Sequence, residues 1–249
     1  MMRIRQGLRR IESLLPLWFS PFLSLLSFFS SPRLSVFQEA KSKIKVFWLK
    51  SLLPDEDYFR LVAPREGETA LVVGGGYGCC ALQCLQKVGR KGKVIVIEPC
   101  PKCLRFLATL FSEKKNVVLV PKAAMDRKGE CYLYLYLTDV NLSAFSKGMP
   151  VKVCADTLDD ICAELGVERV DYMAMDVEGA EIEALRGAKR IIGRTEKVVV
   201  GAYHLRNGKP TWAWVERYLK KMGFKTKVTD DGLVHAWRTG TRSNAGSLI

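Results

Sequence analysis

Four short stretches place chemically useful side chains directly after apolar runs. Leu71 to Cys80 reads LVVGGGYGCC, in which valines give way to Gly74, Gly75, Gly76 and Gly78. Glycine permits a sharp turn and lets backbone N–H groups approach a ligand, as happens where a buried strand meets a nucleotide-type cofactor. Glu98, followed by Pro99, closes a second run, KVIVIE. A carboxylate there can accept hydrogen bonds from the two cis hydroxyls of a ribose. Asp176 and Glu178 follow a third run, VDYMAM, and His204 ends a fourth, EKVVVGAYH. No Lys-Ser or Lys-Thr follows the glycines, which argues against hydrolysis of a nucleoside triphosphate. These residues alone leave a dinucleotide and S-adenosylmethionine both open.

The elements that position these stretches alternate. Residues 70–73, 93–98 and 117–120 predict strands, separated by helices over 79–88 and from 101 to about 112. Continuous apolar strands between helices imply a parallel sheet covered on both faces. Ligands of such a sheet bind beyond the carboxyl ends of its strands, which is where all four stretches fall. The rhythm breaks at CYLYLYL (131–137) and VKVC (151–154), which predict an inserted antiparallel pair joined by the polar loop TDVNLSAFSKGMP. Alternation puts Tyr132, Tyr134 and Tyr136 on one face of that pair. Asp156 is the expected cap of the next helix. Strands at 170–175 and 196–204, helices at 178–186 and 212–222, and a closing hairpin of 224–229 with 233–238 complete the pattern.

Ahead of this domain, residues 44–48 and 58–62 predict a β-ribbon. The expected organisation is an extension over 1–43, a main domain over 44–240 with its insertion at 131–154, and a flexible tail over 241–249. Arg3, Arg5, Arg9 and Arg10 precede the uncharged run LLPLWFSPFLSLLSFFS (14–30). Residues 1–33 are thus open to three readings: a helical cover on the main domain, a helix lying on an anionic membrane surface, or a short span. The corresponding location is cytoplasmic, with or without membrane association.

The 249 residues are 48% hydrophobic and 26% charged, as an ordinary folded chain would be, with a net charge of +13. That charge favours an anionic partner such as RNA, acidic lipid or a phosphorylated compound, or else is a solvated surface. The pair Cys100 and Cys103 has CxxC spacing but no second pair follows it, and the histidines number 2. No metal is expected, and no disulfide framework.

YMAMDVEGAE (172–181) resembles the signature of the FkbM family of S-adenosylmethionine-dependent methyltransferases, a strand followed by Asp-Val-Glu-Gly-Ala-Glu. IEPCP (97–101), KAAMDRKG (122–129), the loop around Ser143, TLDD (157–160) and His204 fit the same family in order. The resemblance covers about residues 44–238. It implies the class I methyltransferase fold, an α/β three-layer sandwich whose seven-stranded, mostly parallel sheet has a reversed final strand. It also implies methyl transfer from S-adenosylmethionine to a hydroxyl of a small molecule, sugar or lipid-linked acceptor.

By position, Gly74, Gly76 and Gly78 would border the methionine part of the cofactor, Glu98 with Pro99 the ribose, and Ala124 with Asp126 the adenine. Asp176 would face the cofactor, and Glu178, Ser143 and His204 the acceptor. An aliphatic hydroxyl needs a proton acceptor, and the ordinary pKa of histidine suits His204 to that task at neutral pH, with Asp176 orienting it. The opposite assignment makes Asp176 the base and His204 a donor to the substrate. In one respect the chain departs from the family. An acidic residue is expected at the end of the first strand, and Val72 or Gly74 stands there. Two rival functions stay open: an RNA methyltransferase, for which the net charge of +13 speaks, and a binding protein that keeps the fold without catalysis, for which the missing acid speaks.

Overall fold

The structure is a computed structural model that describes residues 56–135, 142–143 and 149–240. In chain order its elements are α1 (Glu56–Phe59), β1 (Thr69–Val73), α2 (Cys79–Val88), β2 (Lys93–Ile97), α3 (Pro101–Leu110), β3 (Val117–Val120), β4 (Ala123–Ala124), β5 (Gly129–Leu135), β6 (Leu142–Ser143) and β7 (Met149–Asp156). There follow α4 (Leu158–Glu164), β8 (Val170–Met175), α5 (Glu181–Arg186), α6 (Lys189–Gly193), β9 (Thr195–Gly201), β10 (Leu205–Arg206), β11 (Lys209–Pro210), α7 (Trp212–Lys221), β12 (Lys225–Val228) and β13 (Leu233–Trp237).

Seven strands form one sheet in the order β12-β13-β9-β8-β1-β2-β3. The run from β3 through β9 is parallel, and β13 is antiparallel to both of its neighbours. β1 shows why its sequence is apolar throughout. Leu71 and Val73 enter one core, Ala70 and Val72 the core on the opposite face. A strand with no wet face needs no alternation. The expected fold is thus present, reversed final strand included.

The insertion is a second sheet in the order β4-β7-β5-β6. β5 and β7 form the expected antiparallel pair, Gly129↔Ala155 through Leu135↔Met149. β4 lies parallel to β7, an addition too short to be read from two alanines. Tyr132 is exposed while Leu133 is buried, so the tyrosine face of β5 points away from the small core under the insertion. Tyr136 lies outside the described residues.

Several expectations need correction. Residues 58–62 are no strand: Tyr58 and Phe59 end α1, and the chain then turns into irregular backbone. Phe59 stacks on Tyr172 with ring centroids 5.7 Å apart, and burying that aromatic pair against the sheet outweighs the β propensity of the segment. The partner strand at 44–48, the extension over 1–43 and the tail over 241–249 lie outside the described residues. The cap of α4 is Thr157, whose Oγ1 accepts from the Asp160 N–H at 3.0 Å, and Asp156 ends β7 instead. The helix expected from 178 starts at Glu181, because Glu178 and Gly179 adopt left-handed backbone with φ of 52° and 101°. β10 and β11 make an unforeseen hairpin whose turn residues Asn207 and Gly208 have φ of 52° and 73°, the conformation favoured by an Asn-Gly turn. Among the described residues no helix is long and apolar enough to cross a membrane.

Candidate functional site

The parallel strands end at one edge of the sheet, and the glycine loop after β1 lies across that edge. Its N–H groups are spent inside the protein. Gly74 and Gly75 donate to Ile97 O, Gly78 donates to Gly75 O, and Gly76 donates to Glu98 Oε2. The glycines serve close approach instead: a Cβ on Gly74 would come within 1.7 Å of Asp176 O, and one on Gly75 within 2.4 Å of Val96 Cγ1. A Cβ on Gly76 would meet open space, although its φ of 49° still favours glycine. Gly78 packs against Leu107 and Leu110 of α3 and begins α2.

Between the loop and the end of β8 is a cavity of about 200 Å³, lined by Tyr58, Gly74 to Gly76, Cys80 and Asp176 among others. Asp176 reaches it because its N–H donates to Val73 O at 2.8 Å, locking the end of β8 beside the end of β1. Its Oδ2 accepts from two phenols, Tyr58 at 2.9 Å and Tyr203 at 2.7 Å. Its Oδ1 is buried and has no hydrogen-bond partner. Burial pushes the Asp176 carboxyl above its ordinary pKa, and the tyrosine hydrogen bonds only partly offset this. Burial, then the charge of Asp176, drive both phenols upward, so both stay protonated donors.

On the other side of Asp176 stands His204. Its Nε2 is 3.0 Å from Glu178 Oε2 and 3.9 Å from Asp176 Oδ1. Its Nδ1 is 3.0 Å from Glu181 Oε1, within ion-pair range but off the line of a hydrogen bond. Glu181 is fully buried and fixed by the Gly179 N–H at 2.8 Å and Thr211 Oγ1 at 3.2 Å. Burial alone would lower the pKa of His204; Glu178, Glu181 and Asp176 outweigh it and raise the value to about 10. The imidazole is thus a cation at neutral pH, which weakens the expectation of a ready base with an ordinary histidine pKa. Asp176 does not orient it through a hydrogen bond; Glu181 and Glu178 flank it. The left-handed backbone at Glu178 turns that carboxylate back toward the ring.

Glu98 is buried behind the loop. Oε2 accepts from Gly76 at 2.7 Å and Oε1 from Cys100 at 2.8 Å, and burial raises its pKa to about 7 in spite of those bonds. Each carboxylate oxygen keeps a second lone pair with which a hydroxyl can be accepted. Pro99 is half-buried beside it. Ala124 is buried in β4, whereas Asp126 is exposed in the loop that follows and does not line the cavity. Ser143 pairs with Tyr134 in the inserted sheet, and its side chain lies outside the described residues.

The structure therefore brings Gly74, Gly76, Asp176, Glu178 and His204 together and keeps Glu98 one layer behind them. Tyr58 and Tyr203 escaped the sequence reading. Tyr203 adjoins His204 at the strand end and was within reach of the same rule, while no spacing marked Tyr58. Asp176, Glu178 and His204 each offer a ligand atom within 4.8 Å of one another, a set that could hold a divalent ion, although the imidazolium already neutralises part of its charge. His235 is buried in β13 with both ring nitrogens unpartnered and belongs to the core.

A sheet of this strand order, with a glycine loop after its first strand, a buried glutamate after its second and a cavity at the carboxyl edge, defines a class I methyltransferase fold. Residues 73–226 match the methyltransferase FkbM domain, and the chain belongs to the FkbM family of S-adenosylmethionine-dependent methyltransferases. It is similar to the 2-O-methyltransferase NoeI of Sinorhizobium fredii, 41% identical over 46 residues that make up 18% of this chain and 19% of that protein. It also superposes on the crystal structure of the methyltransferase FkbM from Methylobacillus flagellatus with a TM-score of 0.50 and 16% identity, over 73% of this chain and 50% of that one. The matches thus span about a fifth of the curated relative and half of the solved chain.

Proposed function

We propose that this protein transfers a methyl group from S-adenosylmethionine to a hydroxyl oxygen of a small molecule or sugar. The observation that carries the reading is the double position of Asp176, which lines the cavity under the glycine loop and stands 3.9 Å from His204. A cofactor in that cavity has an imidazole and a carboxylate directly beyond it. The cofactor supplies an already activated methyl sulfonium, so the chain's own residues have to align an acceptor oxygen and receive its proton.

His204 and Glu178, 3.0 Å apart, offer such an oxygen one donor and one acceptor. A second positive charge in the cavity makes the His204 proton easier to lose: like unit charges several Å apart repel by on the order of 3 kcal/mol at an effective dielectric of about 20. The pair can then take the acceptor's proton as a unit, with Glu181 bracing the ring from behind. Glu98 is assigned to the ribose and the buried face near Ala124 to the adenine. The name of the Sinorhizobium relative, a 2-O-methyltransferase, supports oxygen as the acceptor atom.

The test is incubation with methyl-labelled S-adenosylmethionine and a panel of monosaccharides, oligosaccharides, small alcohols and RNA. Label should appear on a hydroxyl compound. Label on RNA alone would replace the small-acceptor reading. Tight cofactor binding with no transfer to any hydroxylated acceptor would favour a binding protein.

A further inference from the structure

We infer that Cys100 and Cys103 form a peroxide-reactive dithiol, with Cys100 as the attacking thiolate and Cys103 as the thiol that closes an intramolecular disulfide. This chemistry is separate from methyl transfer, in which neither thiol has a part.

CPKC, residues 100–103, occupies the start of α3, with Cys100 as the N-cap and Cys103 three positions on. Residues so spaced face each other across one helical turn. The two sulfurs and a Glu98 oxygen all lie within 4.8 Å of one another, so the thiols need only side-chain rotation to bond. Both cysteines are 2% exposed, in the small core they share with Ala123, Leu133, Val153 and Ala155. Pro101 and Lys102 between them are exposed, so a single turn of backbone separates the sulfurs from solvent. Hydrogen peroxide is little larger than water and needs no wide path.

Burial by itself makes a thiol inert: it is the main cause that pushes Cys162, in the core on one face of the main sheet, up to about 11. Cys100 goes the other way. The hydrogen bond with the Cys103 thiol is the main cause that holds Cys100 below its ordinary pKa; the N–H groups of Cys103 and Lys102 add to it, and burial offsets it in part. The same bond, with burial, drives Cys103 upward, so that sulfur keeps its proton. One sulfur is thus the nucleophile, and the other is held against it as a thiol. The same three side chains could ligate a metal, but the open N–H groups of a helix start favour an anion over a cation, and both Glu98 oxygens already accept from the backbone.

The Cys100 thiolate attacks one oxygen of the peroxide: an S–O bond forms, the O–O bond breaks, and hydroxide leaves. Cys103 then attacks the sulfenic sulfur. An S–S bond forms, the S–O bond breaks, and the departing hydroxide takes the Cys103 proton to become water. The two cysteines together lose an electron pair, and the peroxide ends as a water and a hydroxide that solvent protonates.

The experiment treats the full chain with hydrogen peroxide at neutral pH, blocks the remaining thiols and digests with trypsin. Cleavage after Lys93, Lys102 and Arg105 separates residues 94–102 from 103–105. The disulfide should hold these two peptides together, and dithiothreitol should release them. The joined pair should form at least about fivefold faster in the folded chain than in guanidinium, where the CxxC spacing remains but the helix start is gone. Cys103→Ser should stop at a sulfenic acid on Cys100, trapped by dimedone, and Cys100→Ser should leave Cys103 a thiol. Should either variant fail to fold in a thermal melt, the joined peptides of the unaltered chain decide alone. Equal rates in the folded and unfolded chain, no joined pair while other cysteines oxidise, or a sulfenic acid on Cys103 in place of Cys100 would overturn the inference. A zinc ion that copurifies with the chain and is lost in Cys100→Ser would overturn it in favour of a metal site.

Discussion

His204 Nε2 and Glu178 Oε2 lie 3.0 Å apart, and Glu178 together with Glu181 and Asp176 makes the imidazole a cation in the free protein. The ring binds its proton more tightly when folded, with a pKa of about 10 against an unfolded value near 6.5. Its contribution to stability is therefore complete below about pH 6.5 and is lost as the pH rises through about 10. Denaturant midpoints measured from pH 6 to 10 should fall across that window, and His204→Gln should flatten the slope.

His235 has the opposite sign. Burial is the main cause that lowers its pKa to about 4, and both ring nitrogens lack partners. The folded state resists protonation, so stability is lost as the pH falls from about 6.5 toward 4. His235→Leu should remove this acid limb and leave the alkaline limb of His204 unchanged, as the same denaturation series would record.

The fold was legible because its strands are buried on both faces: ALVV, KVIVI and VVLV can hardly be anything but the strands of a covered parallel sheet. The edge that collects Gly74, Glu98, Asp176 and His204 followed from that sheet and the rule for its carboxyl ends. What escaped was tertiary. Residues 58–62 look like a strand, but their aromatic rings gain more from Tyr172 and Asp176 than from pairing. The turn at Glu178 shortened the following helix because a non-glycine residue accepts left-handed backbone there. The protonation state of His204 was beyond the sequence as well, since three carboxylates of the distant segment 176–181 set it. Glu98 was placed correctly at its strand end, but not its burial behind Gly76.

Glu98 titrates near neutrality in the free protein because burial disfavours its charge. A ribose needs the ionised carboxylate as its acceptor. S-adenosylmethionine affinity should therefore climb by up to about tenfold per pH unit below pH 7 and level off above it. Glu98→Gln should bind more weakly and without this pH dependence; calorimetry between pH 5.5 and 8.5 reads both.

Of the three glycines with positive φ in the loop, Gly74 and Gly76 should respond differently to alanine. Gly74→Ala drives a methyl group into the Asp176 backbone at 1.7 Å and should cost at least about 2 kcal/mol of stability. Gly76→Ala meets open space and bears only the backbone penalty, about 1 kcal/mol. Thermal melts should rank them in that order.

If the His204 and Glu178 pair handles the acceptor's proton, His204→Ala should lower kcat by about a hundredfold or more. S-adenosylmethionine affinity should not weaken, because the ring is outside the cavity lining and its loss removes a charge that repels the sulfonium. A KM-against-kcat split on the labelled acceptor, together with calorimetry, separates these two effects.

Titration of the unaltered chain with S-adenosylmethionine by calorimetry probes the account at its root, that the space between Gly74 and Asp176 is a cofactor site. A single site with micromolar affinity, weakened by Asp176→Asn, is the predicted result. An absence of heat or binding up to millimolar cofactor would contradict it.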